Sequence, residues 1–159
     1  DPELAGEDID TARSRHGYII TYAGAPLLWK SQMQGEVALS STESEFIGLS
    51  TALRTAIPLQ RILTEMKGLG FDILPDGPTI HCEAFEDNNG ALAIANVPKT
   101  RPRTKHINCK YFHFLEYTQG EGSPFSFSPI DTEDQPADML IKALSFLPFE
   151  KHHKWLLGW

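Results

Sequence analysis

Segments with a strand pattern alternate along the chain with segments that have a helical repeat, and this alternation limits the fold more than any other feature. The predicted strands are 16–22, 27–34, 79–85 and 124–130, and the predicted helices begin at Thr42 and cover 90–96, 104–117, 132–144 and 149–157. Such an order predicts an α/β domain with a mixed sheet. With 159 residues, 41% of them hydrophobic, residues 1–159 are expected to form one domain with an ordinary core.

The longest predicted helix begins at Thr42. Apolar residues recur at helical spacing between Phe46 and Met66. Pro58 is expected to kink or divide this helix, because proline has no amide hydrogen to donate to the preceding turn. Gly68 and Gly70 are expected to end it.

Four acidic residues lie at the start or end of predicted elements: Asp1, Glu45, Asp87 and Asp138. If the ends of these elements meet at one edge of the sheet, the four carboxylates converge. Clustered carboxylates bind divalent metal ions, and paired metal ions promote phosphodiester cleavage. The pattern therefore indicates a metal-dependent site for nucleic-acid chemistry.

Each of these acids also has a structural alternative. Thr42 and Glu45 fit the spacing of a capping box, in which both side chains bond to the first turn of a helix. Asp87 could cap the following helix, and Asp138 could be a first-turn carboxylate that interacts with the helix dipole. Asp1 could be a solvated terminal residue. Only the joint placement of the four favours the functional interpretation.

A basic segment lies in a chain that is acidic overall, with a net charge of −7. Arg101, Arg103, Lys105 and His106 stand in a short stretch interrupted by prolines. Cationic side chains bind phosphate backbones, so this segment is a candidate nucleic-acid contact, with a solvated loop as the alternative. His106 could also be a core or helix-surface residue, and the His152–His153 pair is expected to be exposed on the last helix.

Several phrases occur in the order found in one protein family. They are Trp29-Lys-Ser31, Val37-Ala-Leu-Ser-Ser-Thr-Glu-Ser-Glu-Phe46, Glu86-Asp-Asn88, Arg103-Thr-Lys-His-Ile107 and Asp134-Gln-Pro-Ala-Asp138, with Asp1-Pro-Glu-Leu-Ala-Gly6 at the start and Phe149–Gly158 at the end. The set resembles the ribonuclease H domain of copia-type LTR retrotransposon Pol polyproteins, and the resemblance covers essentially the whole chain.

The resemblance implies a ribonuclease H-like fold, with a central five-stranded mixed sheet flanked by helices. It implies a metal-dependent endonuclease that hydrolyses the RNA strand of RNA–DNA hybrids during reverse transcription. Asp1, Glu45, Asp87 and Asp138 would then be the catalytic acids that hold two Mg²⁺ or Mn²⁺ ions. The implied partners are the hybrid and a reverse transcriptase domain of the same polyprotein, with no membrane partner. The implied location is cytoplasmic, inside virus-like particles.

Some residues depart from the family pattern. Leu4 replaces a usual Trp, Arg15-His16 replaces a Ser/Thr-Ser pair, and Gln32-Met33 replaces a basic pair. The loss of positive charge favours a rival hypothesis, a catalytically inactive ribonuclease H-like module with a structural or protein-binding role. A different metal nuclease of the same fold is a third possibility.

The first strand of this fold is expected to be truncated on its amino-terminal side, because the chain starts at the acid that the strand would carry. Either an upstream segment of a longer polyprotein or another segment would then fill the strand position. An unfilled position would leave its neighbouring strands with unpaired edges.

Overall fold

The computed structural model describes residues 7–8, 12–73, 80–97 and 109–158, and it shows a mixed α/β architecture. The strands are β1 (Glu7–Asp8), β2 (Arg13–Tyr22), β3 (Ala25–Met33), β4 (Cys82–Glu86) and β5 (Phe125–Pro129). The α-helices are α1 (Ser41–Gly68), α2 (Asn89–Ala95), α3 (Leu115–Thr118) and α4 (Phe146–Leu157), and short 3₁₀ helices cover Cys109–Phe112, Thr132–Asp134 and Pro136–Leu140. The expected α/β class is therefore confirmed.

The described strands form two small sheets. One has the order β1-β2-β3 and is antiparallel, and the other is the parallel pair β4-β5. The single five-stranded sheet implied by the resemblance is not present among the described residues. In the part of the chain that is described, no strand pairs with both β2 and β4, so nothing joins the two sheets through backbone hydrogen bonds.

The predicted hairpin is confirmed as β2 and β3. Ala23 and Gly24 form the turn with positive φ angles of 51° and 80°, a conformation that suits a two-residue connection between twisted strands. The register pairs Tyr22 with Ala25 at the turn and Arg15 with Met33 at the open end. The hairpin provides the antiparallel sheet against which α1 packs.

Helix α1 is one continuous helix of 28 residues. The prediction that Pro58 divides it is wrong. The proline side chain is exposed, and the helix continues to Gly68. The carbonyl group that loses its amide partner therefore lies on the solvent side, where water can replace the bond. The buried residues of α1 all precede Pro58, from Glu43 to Ile57, so the first half of the helix carries the core contacts.

The core is an aromatic cluster between α1 and the β4-β5 sheet. Phe46, Phe114 and Phe125 are almost completely buried. The ring of Phe114 lies 6.0 Å from that of Phe46 and 5.6 Å from that of Phe127. Tilted and edge-to-face contacts of this kind are favourable, and they fix the helix against the sheet.

Two predicted helices are wrong within the described residues. The segment predicted as a helix over 104–117 instead contains the 3₁₀ helix Cys109–Phe112 and the single turn α3, while 104–108 lies outside the described residues. The helix predicted over 132–144 is replaced by two 3₁₀ helices. Pro136 separates them, because its ring cannot donate the bond that would continue a helix. The last helix is confirmed as α4, and no helix in the described ranges is long and apolar enough for a membrane crossing.

Candidate active site

A cleft of about 530 Å³ separates the two sheets, and six acidic residues line it, of which four concern the predicted site. Glu45 comes from the second turn of α1. Glu86 is the last residue of β4, and Asp87 follows it directly. Asp138 lies in the 3₁₀ helix Pro136–Leu140. The fold therefore brings together three of the four acids predicted from the sequence, and it adds a fourth that was not predicted.

Glu45 does not serve as a helix cap. The cap of α1 is Ser40, whose hydroxyl oxygen accepts a bond from the Glu43 N–H at 3.1 Å. The carboxylate of Glu43 accepts a bond from the Leu39 N–H at 2.8 Å. The capping arrangement thus uses Ser40 and Glu43, two residues earlier than the predicted Thr42 and Glu45. The structural alternative for Glu45 is wrong, and its side chain is directed to the cleft.

Asp87 is likewise not the cap of the next helix. Asn88 is the N-cap of α2, and its side-chain oxygen accepts a bond from the Ala91 N–H at 3.0 Å. Because Asn88 fills the capping position, the Asp87 carboxylate does not cap α2.

Asp138 is buried, with 5% of its surface exposed, in the first turn of its short helix. Its carboxylate forms an ion pair with Lys142, at 2.6 Å between Nζ and Oδ2. Burial raises the pKa of Asp138, and the bond to Lys142 opposes that rise. The predicted first-turn position is confirmed, and the carboxylate also has a cationic partner there.

Burial and neighbouring negative charges raise the pKa of three acids in the cleft, Glu45, Glu86 and Asp138. Burial, followed by the charges of Asp87 and Asp138, raises the pKa of Glu45 to about 7. Burial and then the charge of Glu45 raise the pKa of Glu86 to about 8, against the lowering effect of a bond from the Asn88 N–H. Desolvated carboxylates beside each other resist ionisation, and a bound cation relieves that resistance. Carboxylate oxygens are the ligands that Mg²⁺ and Mn²⁺ prefer, so a cation bound here would lower the pKa of these acids.

Two residues of the cleft were missed by the sequence reasoning. Glu86 was part of a quoted phrase but received no role, although the alternation of β4 turns Cys82, Ala84 and Glu86 to one face. His152 was expected to be exposed, yet it is the buried residue of α4, with 3% exposure, and it lines the cleft. The signal available in the sequence was the helical spacing that places His152 on the same face of α4 as apolar residues.

The described acids do not stand as a preformed metal cage. Among residues 7–8, 12–73, 80–97 and 109–158, no three His, Cys, Asp or Glu side chains are grouped closely enough to hold an ion. The acids interact electrostatically across the cleft, and such an interaction acts over longer distances than shared coordination of one ion. Asp1 and the predicted nucleic-acid contacts Arg101, Arg103, Lys105 and His106 lie outside the described residues.

Comparison with known proteins finds relatives among retrotransposon Pol polyproteins. Over 94% of its length, the chain is 32% identical to the Retrovirus-related Pol polyprotein from transposon TNT 1-94 of Nicotiana tabacum. It is 35% identical over the same share to the Retrovirus-related Pol polyprotein from transposon RE2 of Arabidopsis thaliana. The chain has homologues among retrotransposon Pol polyproteins. It spans about 10% of the length of these relatives.

A shorter match comes from a protein with a different name. The match to Secreted RxLR effector protein 161 of Plasmopara viticola is 40% identical over 68 residues. These residues make up 43% of this chain and 47% of the relative. No family model matches the chain. No solved structure matches it either. The retrotransposon Pol relatives therefore confirm the predicted resemblance at the level of the polyprotein.

Proposed function

We propose that the chain is a metal-dependent ribonuclease H that hydrolyses the RNA strand of RNA–DNA hybrids. The observation that carries this proposal is the convergence of Glu45, Asp87 and Asp138 at one cleft. Similarity to retrotransposon Pol polyproteins over 94% of the chain supports it. The phrases around these acids also resemble those of the ribonuclease H domain of copia-type Pol polyproteins.

The acids would act as a cation-binding set. Glu45, Asp87 and Asp138, with Asp1, would hold two Mg²⁺ or Mn²⁺ ions. The chemistry supplied by two such ions is activation of the attacking water and stabilisation of the leaving 3′ oxygen. The 2′-hydroxyl group of the cleaved strand would distinguish RNA from DNA.

The remaining predicted residues would position the substrate. Arg101, Arg103, Lys105 and His106 would contact the phosphate backbone of the hybrid. Contacts of this kind fix the register of a nucleic acid without reading its sequence. Binding through them should weaken steeply with salt, because each neutralised phosphate releases counterions.

Cleavage of a labelled RNA–DNA hybrid tests the proposal. We expect loss of the RNA strand in Mg²⁺ or Mn²⁺, no cleavage in EDTA, and no cleavage of RNA–RNA or DNA–DNA duplexes. Asp87→Asn should lower the rate by about two orders of magnitude, since removing one charge-stabilising group costs about that much. Asp72→Asn, an exposed acid outside the cleft, is the matched control.

Circular dichroism and thermal melting should show that Asp87→Asn remains folded. Wild-type turnover in that variant would refute the site assignment. Cleavage of DNA duplexes in preference to hybrids would instead support the third possibility, a different metal nuclease.

A second candidate function is the inactive ribonuclease H-like module with a structural or protein-binding role. The observation in its favour is the ion pair between Asp138 and Lys142, which occupies a carboxylate oxygen that a metal would need. Folded protein that cleaves no hybrid with either metal would support this candidate.

A further inference from the structure

Lys142 is a cation that its own backbone places beside Asp138. At the end of the 3₁₀ helix Pro136–Leu140, the Lys142 N–H donates to the Asp138 carbonyl at 3.0 Å, and the Ile141 N–H donates to the same carbonyl at 3.1 Å. The chain therefore makes one α-type turn between residues 138 and 142. Side chains four positions apart lie on one face of such a turn, so the Lys142 ammonium reaches the Asp138 carboxylate.

This ion pair is much less exposed than a surface pair of the same spacing. Lys142 Nζ lies 2.6 Å from Asp138 Oδ2, and the two side chains are 37% and 7% exposed. Lys154 and Glu150 in α4 also stand four residues apart, with Nζ 2.8 Å from Oε1, but their side chains are 59% and 39% exposed. Water screens an exposed pair, whereas a buried carboxylate has lost its hydration and depends on its partner. The Asp138 carboxylate therefore needs a cation beside it, and Lys142 supplies one.

The same ammonium acts on a second acid of the cleft. Burial and then the charges of Asp87 and Asp138 raise the pKa of Glu45, and the charge of Lys142 opposes that rise. Lys142 therefore lies within electrostatic reach of two of the three described acids that the proposed function assigns to metal binding. Its charge stands where a metal ion would have its own effect.

An ammonium in this position and a divalent cation exclude each other. Asp138 Oδ2 already accepts a bond from Lys142 Nζ, whereas Mg²⁺ binds its oxygen ligands at about 2.1 Å and tolerates little distortion of its shell. Two cations on one poorly hydrated carboxylate also repel each other. Lys142 has a flexible four-carbon stem that is already partly exposed, so its ammonium can turn towards water without a change in the backbone.

We propose that Lys142 is an internal competitor of the divalent cation, whose ammonium neutralises Asp138 in the metal-free protein and is displaced when the ion binds. The inference rests on the metal site of the proposed function. It agrees with the absence of a preformed cage among the described acids, because an ammonium already holds one of them. The ion pair then sets the metal concentration that the site requires, instead of abolishing metal binding.

Isothermal titration with Mn²⁺ at constant ionic strength tests the competition. Lys142→Met keeps an apolar stem and removes the charge, and we expect it to bind Mn²⁺ at least about 10-fold more tightly than the wild type, a usual size for coupling between two ligands. Lys142→Arg retains a cation and should gain no affinity. Lys154→Met removes the charge of the surface pair and is the matched control. Equal affinities in Lys142→Met and the wild type, no Mn²⁺ binding in either, or an equal gain in Lys154→Met would overturn the proposal.

The displacement itself can be measured by NMR in the wild-type protein, so this test does not depend on a variant that must fold. In EDTA we expect a nuclear Overhauser effect between the Hε protons of Lys142 and the Hβ protons of Asp138. Saturating Ca²⁺, which is diamagnetic and prefers oxygen ligands, should abolish it. The corresponding effect between Lys154 and Glu150 should be the same with and without Ca²⁺. A Lys142–Asp138 contact that persists when Ca²⁺ is bound would overturn the proposal.

These outcomes separate the inference from the proposed function. Hybrid cleavage by a protein in which Lys142 stays on Asp138 with Ca²⁺ bound would overturn the inference alone. Tighter Mn²⁺ binding by Lys142→Met, together with loss of the Lys142–Asp138 contact in Ca²⁺, would support the inference even in a protein that cleaves no hybrid. In that case only the proposed ribonuclease H activity would be refuted.

Discussion

Glu86→Gln should stabilise the metal-free protein, by an amount that increases with pH. The Glu86 carboxyl has a pKa of about 8 in the folded protein, against an ordinary value of 4.5. The unfolded chain therefore releases this proton near pH 4.5, while the folded protein retains it until about pH 8. In this window the folded state binds more protons, so the wild type loses stability as pH rises.

The size of the effect follows from the shift. Each pH unit in the window is worth at most about 1.4 kcal/mol, so the cost of Glu86 at pH 7 is on the order of 3 kcal/mol. Glutamine has nearly the same shape and can still accept the bond from the Asn88 N–H, now at 3.1 Å, but it never ionises. The variant should match the wild type at pH 4.5 and exceed it by that amount at pH 7.

Urea denaturation in EDTA at pH 4.5, 6, 7 and 8 measures the difference. Glu65→Gln, on the exposed face of α1, is the matched control and should change the free energy of unfolding by no more than about 0.5 kcal/mol at any pH. A stability difference between Glu86→Gln and wild type that stays constant from pH 4.5 to 8 would refute the reasoning, since it would mean that Glu86 ionises normally in the fold.

Three further predictions concern packing and catalysis. Gly17→Ala should destabilise the protein by about 1–3 kcal/mol, because its Cβ would meet side-chain atoms at 2.8 and 3.0 Å. Gly35→Ala is the control, because a Cβ there meets nothing within 4 Å. The urea midpoints of the two variants measure the difference. Phe114→Ala should lower the free energy of unfolding by about 3–5 kcal/mol in the same assay. Phe71→Ala, at a position with 56% exposure, should lower it far less. Similar losses in the two variants would contradict the assigned core. Hybrid cleavage should become faster between pH 6 and 8, because Glu45, with a pKa of about 7, must lose its proton to bind a cation; a rate that falls over this range would contradict its role.

Local patterns were sufficient to predict much of the fold. The β2-β3 hairpin, the start of α1 and helix α4 follow from alternation, turn residues and helical spacing, all of which act over a few neighbouring residues. The 132–144 segment failed because Pro136 outweighs a helical spacing of apolar residues. The arrangement of strands into sheets depends on partners that are distant in the sequence, which local patterns do not specify.

The site was predicted less completely than the fold. Glu45, Asp87 and Asp138 were found because each ends or begins an element, and the fold brings these ends to one cleft. Glu86 and His152 were missed because no role was assigned from the alternation of β4 or from the apolar face of α4, although both patterns are in the sequence. The capping roles of Ser40 and Asn88 were also misplaced by one or two residues, since several polar residues compete for each helix start.

Helix α1 is continuous at Pro58, but the segments before and after the proline differ in how much they are stabilised by packing. No residue of α1 after the proline is buried, whereas ten before it are. The last turns of the helix are therefore held chiefly by their own backbone bonds, one of which the proline removes, and by contacts such as the bond from the Gln60 side chain to the Ile80 carbonyl at 2.8 Å. Short helical segments with so little buried surface open at a small fraction of the global free energy. The end of α1 can thus melt and re-form repeatedly while the cleft and its acids remain folded.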